Sequence, residues 1–113
     1  MQYDHIGIPT TEEKTWLKYV EGGCVHVTDP AKDEFGVEWL KFEAGSPMPA
    51  ALQQGAHIAF AVKCLDSALA GKKVMVPPFE AGPGVRCAFI DHDGLAVELM
   101  EKSCGATGGC GCG

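Results

Sequence analysis

The sequence predicts an α+β fold built from two similar units. Two short strands, at residues 4–8 and 56–62, carry the same His-Ile step, and His5 and His57 are 52 residues apart. The second half reads strand, helix, strand, strand, strand, and the first half reads the same with one element fewer. A spacing of this size is typical of an internal structural repeat. We therefore expect two related units, of which the first is shortened.

The composition is that of one globular domain, with 46% hydrophobic residues in a chain of 113. The longest apolar run is far below the ~18 residues of a membrane span, and the N-terminus lacks the layout of a secretory leader. We expect a cytoplasmic protein without a membrane partner. The net charge is −6 and Lys and Arg cluster only at residues 72–73. This charge pattern argues against nucleic-acid binding and leaves a small molecule as the expected partner.

In the first half, residues 3–9 form a predicted strand, and Thr10 and Glu13 have the spacing of a capping box. Apolar residues then recur at helical spacing until a Gly-Gly pair, which predicts a helix over residues 11–21. Two strands and a connection follow, at residues 24–27, 37–43 and 44–55. One helical turn is predicted within the connection, at residues 50–53.

The boundaries of the elements are clearer in the second half. Its predicted elements are a strand at residues 57–62, a helix at 67–70, a brief strand at 73–76 and a hairpin of strands 85–90 and 95–101. Asp66 is the expected cap of the helix, and the Asp-Gly pair at residues 93–94 is the expected hairpin turn. Residues 77–84 are predicted to be a loop, with Phe79 as a candidate lid aromatic.

These elements divide the chain into a domain of residues 1–102, with units of about 1–55 and 56–102, and a Gly/Cys-rich tail of residues 103–113. The tail has almost no apolar surface, so we predict a flexible segment outside the core. Its three cysteines could bind a soft ion such as Zn(II) or Cu(I), although their spacing matches no structural zinc site; they are Cys104, Cys110 and Cys112.

Three polar residues on predicted strands are candidate metal ligands. His5 and His57 occupy equivalent places on the first strand of each unit, and Glu98 interrupts the apolar last strand. An ionised carboxylate there is costly unless it faces water, a cation or a metal. Two histidines and a carboxylate can hold one divalent ion at ~2.0–2.2 Å, and non-haem Fe(II) oxygenases use the same trio. Each histidine taken alone is more typical of a hydrogen-bonded, partly buried structural residue, and it is the matching position of the two histidines in the repeat that favours a ligand role.

Four segments, in this order, resemble the vicinal oxygen chelate superfamily, which includes glyoxalase I, extradiol dioxygenases, methylmalonyl-CoA epimerase and the bleomycin-resistance proteins. They are residues 4–8, 56–69, 84–91 and 94–101, within a resemblance that spans residues 3–102. The resemblance implies paired β-α-β-β-β units that form a curled mixed sheet around a cleft. It further implies a divalent ion, such as Zn, Ni, Fe or Mn, held by His5, His57 and Glu98. Such an ion binds two adjacent substrate oxygens and stabilises an enolate or oxyanion.

The first unit departs from the family pattern, in which its last strand also supplies a ligand. If residues 37–43 are that strand, Glu38 is the fourth ligand or the general base. If they are the third strand, the fourth has degenerated into residues 47–54, where Gln53 is a poor substitute. Glu38 is also compatible with a solvent-facing strand position.

The choice decides the predicted chemistry. Four ligands resemble the lyase and isomerase branch of the superfamily, and three resemble the dioxygenase branch. The prediction is a small metal-dependent enzyme with Glu38 in a catalytic role; the alternatives are a dioxygenase that uses only His5, His57 and Glu98, and a metal-free binding or resistance protein. An unpaired edge in a short first unit would also favour a homodimer.

Overall fold

The computed structural model describes residues 1–102, so the predictions made for the tail lie outside the described residues. The strands are β1 (Gln2–Pro9), β2 (Lys18–Val20), β3 (Val25–Val27), β4 (Val37–Phe42), β5 (His57–Ala61), β6 (Val74–Gly82), β7 (Val85–His92) and β8 (Leu95–Lys102). The helices are α1 (Ala50–Gln54) and α2 (Leu65–Leu69), with 3-10 turns at Glu21–Gly23 and Pro30–Lys32. Neither α-helix has the length and hydropathy that a membrane crossing needs.

The strands form one mixed sheet in the order β2-β3-β4-β1-β5-β8-β7-β6. Strands β1 and β5 lie antiparallel at its centre, and each pairs in parallel with the last strand of its own half, β4 or β8. From the centre outward, the two halves therefore have the same strand order. The first half lacks no strand, but no helix separates β1 from β2. The prediction of two β-α-β-β-β units is therefore not confirmed. The element that the first half lacks is the helix between its first two strands.

The predicted helix over residues 11–21 is wrong, because the backbone of this segment joins the sheet. The Leu17 N–H donates to the Val27 carbonyl at 2.8 Å, and β2 then pairs with β3. The Thr10 hydroxyl accepts from the Glu12 N–H at 3.1 Å, which closes a local turn in place of a helix cap. Glu13 does not reach back to Thr10, because its carboxylate bonds to the indole of Trp16 and to Lys41.

Two further boundaries in the second half differ from prediction. Helix α2 begins at Leu65 with Cys64 as its N-cap, so Asp66 lies inside the first turn and is not the cap. The predicted loop at residues 77–84 is strand for most of its length, since β6 continues to Gly82. Its register shifts on both sides of Val76, and the second shift, between Val76 and Phe79, accommodates two prolines on an edge strand. The Asp-Gly hairpin turn is confirmed, with φ of 52° and 92° at its two residues.

The curled sheet encloses a cavity of about 330 Å³ to which all eight strands and α1 contribute. Buried Val25, Val27 and Leu40 form an apolar cluster on the cavity wall of the first half. Leu52 of α1 packs with Phe89 in the second half. The two edge strands are linked where Lys18 Nζ donates to the Ala81 carbonyl. The outer face of the second half packs against α2 through a separate cluster around Leu65 and Leu99.

Candidate metal centre

Four side chains that could hold a metal ion meet in the cavity: His5, Glu38, His57 and Glu98. One donor atom from each lies within 4.8 Å of all the others. The side chains of the two histidines are 4% and 1% exposed, and those of Glu98 and Glu38 are 11% and 17% exposed. The structure thus brings together the three predicted ligands and the residue predicted for catalysis.

The sheet register explains why these residues converge. Gly7 on β1 pairs with Glu38 on β4, and Ala59 on β5 pairs with Glu98 on β8. Each histidine lies two residues before the strand partner of its glutamate. Because side chains alternate between faces along a strand, each histidine and glutamate point to the same face of their half. The central β1–β5 pair then brings the two His-Glu sets next to each other.

The Glu38 register decides between the two interpretations of residues 37–43. Strand β4 pairs in parallel with β1, as β8 pairs with β5, so it is the last strand of the first half. The segment at residues 47–54 instead contains α1. There the Gln53 amide donates to the Met48 carbonyl at 2.8 Å and to the Ser46 carbonyl at 3.4 Å. Glu38, and not Gln53, is therefore the first-half residue placed with the other three.

The spacing of the donor atoms fits a divalent ion. His57 Nε2 lies 3.0 Å from Glu98 Oε1 and 3.9 Å from Glu38 Oε1, and the corresponding distances from His5 Nε2 are 3.6 and 3.4 Å. Ligand bonds of about 2.1 Å place two donors about 3.0 Å apart at a right angle and about 3.4 Å apart at a tetrahedral angle. His5 Nε2 is buried without a hydrogen-bond partner among the described residues. Buried polar atoms without a hydrogen-bond partner are rare in folded proteins, and a bound cation would give this nitrogen a partner.

The electrostatics of the cluster point to the same need for positive charge. Burial lowers the pKa of His5, but the nearby carboxylates of Glu38, Glu98 and Asp4 outweigh burial and raise it to about 11. Burial raises the pKa of Glu98, but its interactions with the two nearby histidines outweigh that effect and lower it. A proton on His5 therefore offsets one of the two buried carboxylates, and a metal ion would take its place.

Asp4 is an outer-shell partner of the centre that the sequence interpretation missed. His5 Nδ1 donates to Asp4 Oδ1 at 2.7 Å, which leaves Nε2 directed at the two glutamates. Asp4 is the extra residue of a bulge in β1, since Tyr3 pairs with Phe60 and His5 with the preceding residue of β5. Bulges near functional sites redirect side chains in this way. Lys102 lies 3.9 Å from the other oxygen of Asp4.

His57 is positioned by packing and not by an outer-shell carboxylate. Its Nδ1 has no hydrogen-bond partner among residues 1–102. Its ring lies over Gly7, where an added Cβ would be 2.1 Å from Cε1. The ring of Phe89 meets it edge-on, with centroids 5.2 Å apart. Gly7 therefore supplies the space in which the imidazole lies.

The cavity walls around this polar floor are mostly apolar. Phe79, predicted as a lid aromatic, lies on β6 and stacks on Phe89 at 6.2 Å between centroids, with the ring planes 8° apart. Cys87 is fully buried beside them. Burial, together with the nearby charge of Glu98, raises the pKa of this thiol, so it stays protonated at neutral pH. The other two histidines lie elsewhere: His26 bonds to Glu43 at 2.9 Å, and His92 is exposed at the hairpin turn.

Comparisons with known proteins concern the fold alone. No protein-family pattern matches the chain, and no curated protein matches it. A solved structure with a similar fold is the crystal structure of the hypothetical protein BH1468 from Bacillus halodurans C-125. The TM-score is 0.66 with 21% identity, over 93% of this chain and 96% of that chain. At this identity the likeness shows a shared fold and assigns no activity.

Proposed function

We propose that this protein is a small metal-dependent enzyme of the vicinal oxygen chelate type, with lyase or isomerase chemistry. The observation that carries the proposal is the convergence of two histidines and two glutamates, one of each from either half, in a largely apolar cavity. The resemblance of residues 3–102 to that superfamily and the curled sheet support the same assignment.

Each of the four residues has a role in this proposal. His5, His57 and Glu98 are the most buried of the four and would hold the ion. When bound, a divalent ion supplies Lewis-acid stabilisation of negative charge on two adjacent substrate oxygens. Glu38 is the most exposed of the four, and its Oε1 lies 3.9 Å from His57 Nε2, farther than Glu98 Oε1 at 3.0 Å. Its carboxylate is suited to be a weaker fourth ligand, and also to accept a proton from a substrate carbon and return it as a general base and acid.

The number of donors favours this chemistry over the two alternatives. A dioxygenase of the three-ligand kind would use His5, His57 and Glu98 and leave Glu38 without a role. A metal-free binding protein would keep two carboxylates and two imidazoles in a largely apolar cavity, where a proton on His5 offsets one of the two negative charges. Burial of uncompensated carboxylates is costly, so this second alternative is the weaker one.

Metal analysis of protein purified without chelator tests the proposal. We expect about one divalent ion per chain in the wild type and its loss in the His57→Ala and Glu98→Ala variants. His92→Ala is the matched control, because His92 is an exposed histidine outside the cluster. Absence of bound metal after supplementation with Zn, Ni, Fe and Mn in turn would overturn the proposal.

A second measurement separates the isomerase from the dioxygenase. Metal-loaded protein is incubated in D₂O with small compounds that carry a hydroxyl or oxo group beside a carbonyl. We expect proton exchange at the adjacent carbon in the wild type and its loss in Glu38→Gln, which is assayed at a metal concentration high enough to load the variant in spite of its weaker binding. Oxygen consumption in place of exchange would support the dioxygenase.

A further inference from the structure

One charged residue that lines the cavity has no role in the metal centre. Lys18 on β2 is the single Lys or Arg among the described residues that line it. Apart from the four candidate ligands, most of the lining side chains are apolar. Lys18 is solvent-exposed, so its ammonium lies where the cavity meets water. The described part of the cavity offers no other positive side chain apart from the two histidines.

The ammonium of Lys18 is held in place at the mouth of the cavity. Its Nζ donates to the Ala81 carbonyl of β6 at 2.6 Å, across the gap between the two edge strands. An ammonium has three N–H donors, and this hydrogen bond uses one.

Lys18 also has no carboxylate partner among the described residues. Lys14, Lys41, Lys73 and Lys102 each pair with an Asp or Glu side chain. Lys18 pairs with a carbonyl oxygen alone, so its positive charge is not offset by a described acidic group within ion-pair distance. Two donors of the ammonium remain for a ligand in the cavity.

The net charge of the cavity with a bound metal ion predicts the charge of that ligand. Two neutral imidazoles, two carboxylates and one divalent ion sum to zero, so the charge of Lys18 remains as a net +1. A complementary ligand carries one negative charge, which suits a carboxylate better than a phosphate dianion. A volume of about 330 Å³ is at the lower end for ligand pockets and fits a small molecule.

We infer that Lys18, outside the metal centre but lining the same cavity, binds a carboxylate of the substrate. The substrate class is then a small amphiphilic acid, with adjacent oxygens at one end, an apolar body against the Phe79 and Phe89 wall, and a carboxylate at the other end. This inference rests on the proposed function, because the charge balance requires the bound ion.

The test uses hydroxamates, which present two adjacent oxygens to a metal. The probes are benzohydroxamate and its 3-carboxy and 4-carboxy derivatives, titrated calorimetrically into the Zn-loaded full chain. For the wild type, we expect at least one carboxylated probe to bind about tenfold more tightly than the plain probe, as for a charge-assisted hydrogen bond. In Lys18→Met that advantage should vanish, while the affinity for the plain probe stays within about twofold of the wild type.

Lys63→Met is the matched control, since Lys63 is exposed and lies outside this cavity. It should keep the preference for the carboxylated probe. If the protein retains zinc and binds all probes equally, or if Lys18→Met keeps the preference, the assignment of Lys18 is overturned and the metal-dependent function stands. If the wild type retains no metal, both are overturned.

Discussion

Glu38 occupies in the first half of the sheet the register position that Glu98 occupies in the second. Glu38 pairs with Gly7 two residues beyond His5, and Glu98 pairs with Ala59 two residues beyond His57. The two halves differ in their helices and loops but keep this His-Glu geometry. A site built from equivalent positions of two halves with the same strand order is better explained by a shared ligand than by two unrelated structural roles.

This equivalence predicts that both glutamates contribute to metal affinity. Glu98→Gln should have the larger effect, because Glu98 is more buried and bonds to His57 at 3.0 Å. Removal of an outer-shell partner typically weakens metal binding about 10–100-fold. We expect each of these two substitutions to weaken Zn(II) binding by more than that. Competition with a chromophoric chelator measures the change.

Glu80→Gln is the control for both variants, since Glu80 is an exposed carboxylate on β6. Wild-type affinity in Glu38→Gln would show that Glu38 is not a ligand. In that case the centre has the three ligands of the dioxygenase alternative.

The Asp4–His5 hydrogen bond gives a second prediction. Asp4→Ala should lower metal affinity by about 10–100-fold, because His5 loses the acceptor that holds its Nε2 toward the centre. Asp4→Asn keeps an acceptor oxygen, so most of the affinity should return. The ¹⁵N shifts of His5 in the Zn-loaded protein report which ring nitrogen carries the proton.

Lys102→Gln is the control for Asp4, since it removes the other ion pair of Asp4 and leaves the bond to His5 intact. If Asp4→Ala binds zinc as tightly as the wild type, with the same His5 shifts, Asp4 has no positioning role.

The third prediction concerns the space under His57. Gly7→Ala would place a Cβ 2.1 Å from His57 Cε1, so the ring or the β1 backbone must move. We expect a loss of about 1–3 kcal/mol in the free energy of unfolding, as for overpacking in a core, together with weaker metal binding. Gly22→Ala is the control, because an added Cβ there meets no atom within 4 Å. Urea denaturation measures the free energy of unfolding of both variants, and zinc titration measures their metal affinity. A Gly7→Ala variant with wild-type stability and affinity would contradict the close contact between Gly7 and His57.

The parts of this site that the sequence predicts are those set by strand periodicity. His57 and Glu98 stand as polar residues within apolar strands, and alternation alone suggests that they face one interior. The equivalence of His5 follows from the repeat. The sequence indicates Glu38 as a candidate but does not show whether it belongs to the site. That depends on whether β4 or the segment after it pairs with β1, which is a long-range contact.

The parts that could not be predicted depend on such long-range pairing. The apolar residues before Gly22 have helical spacing, but the segment pairs with β3 as strand β2. Tertiary hydrogen bonding here outweighs the local helix propensity. The bulge at Asp4 has no sequence pattern of its own, and Lys18 meets Ala81 from 63 positions away. Glu101 on β8 is buried and accepts the Leu65 N–H at 2.7 Å at the start of α2, a contact between residues 36 positions apart that no local pattern predicts.

The hairpin turn between β7 and β8 gives a prediction about pH and stability. Asp91 Oδ1 accepts the Gly94 N–H at 2.7 Å, and Lys73 lies 3.2 Å from its other oxygen. These two interactions lower the pKa of Asp91 in the folded protein, the backbone bond being the larger cause. A depressed pKa means that the ionised form stabilises the fold. This contribution is present above the pKa of about 3.9 in the unfolded chain and is lost as the pH falls through the lower folded value.

Asp91→Asn removes the charge and keeps an acceptor for Gly94. We expect the variant to be less stable than the wild type at pH 7, with a constant difference down to about pH 5 and a shrinking one below it. Urea denaturation at a series of pH values measures the difference, and Lys73→Gln shows the part due to the lysine. A difference in the free energy of unfolding that is the same at pH 3 and pH 7 would mean that the charge of Asp91 does not stabilise the turn.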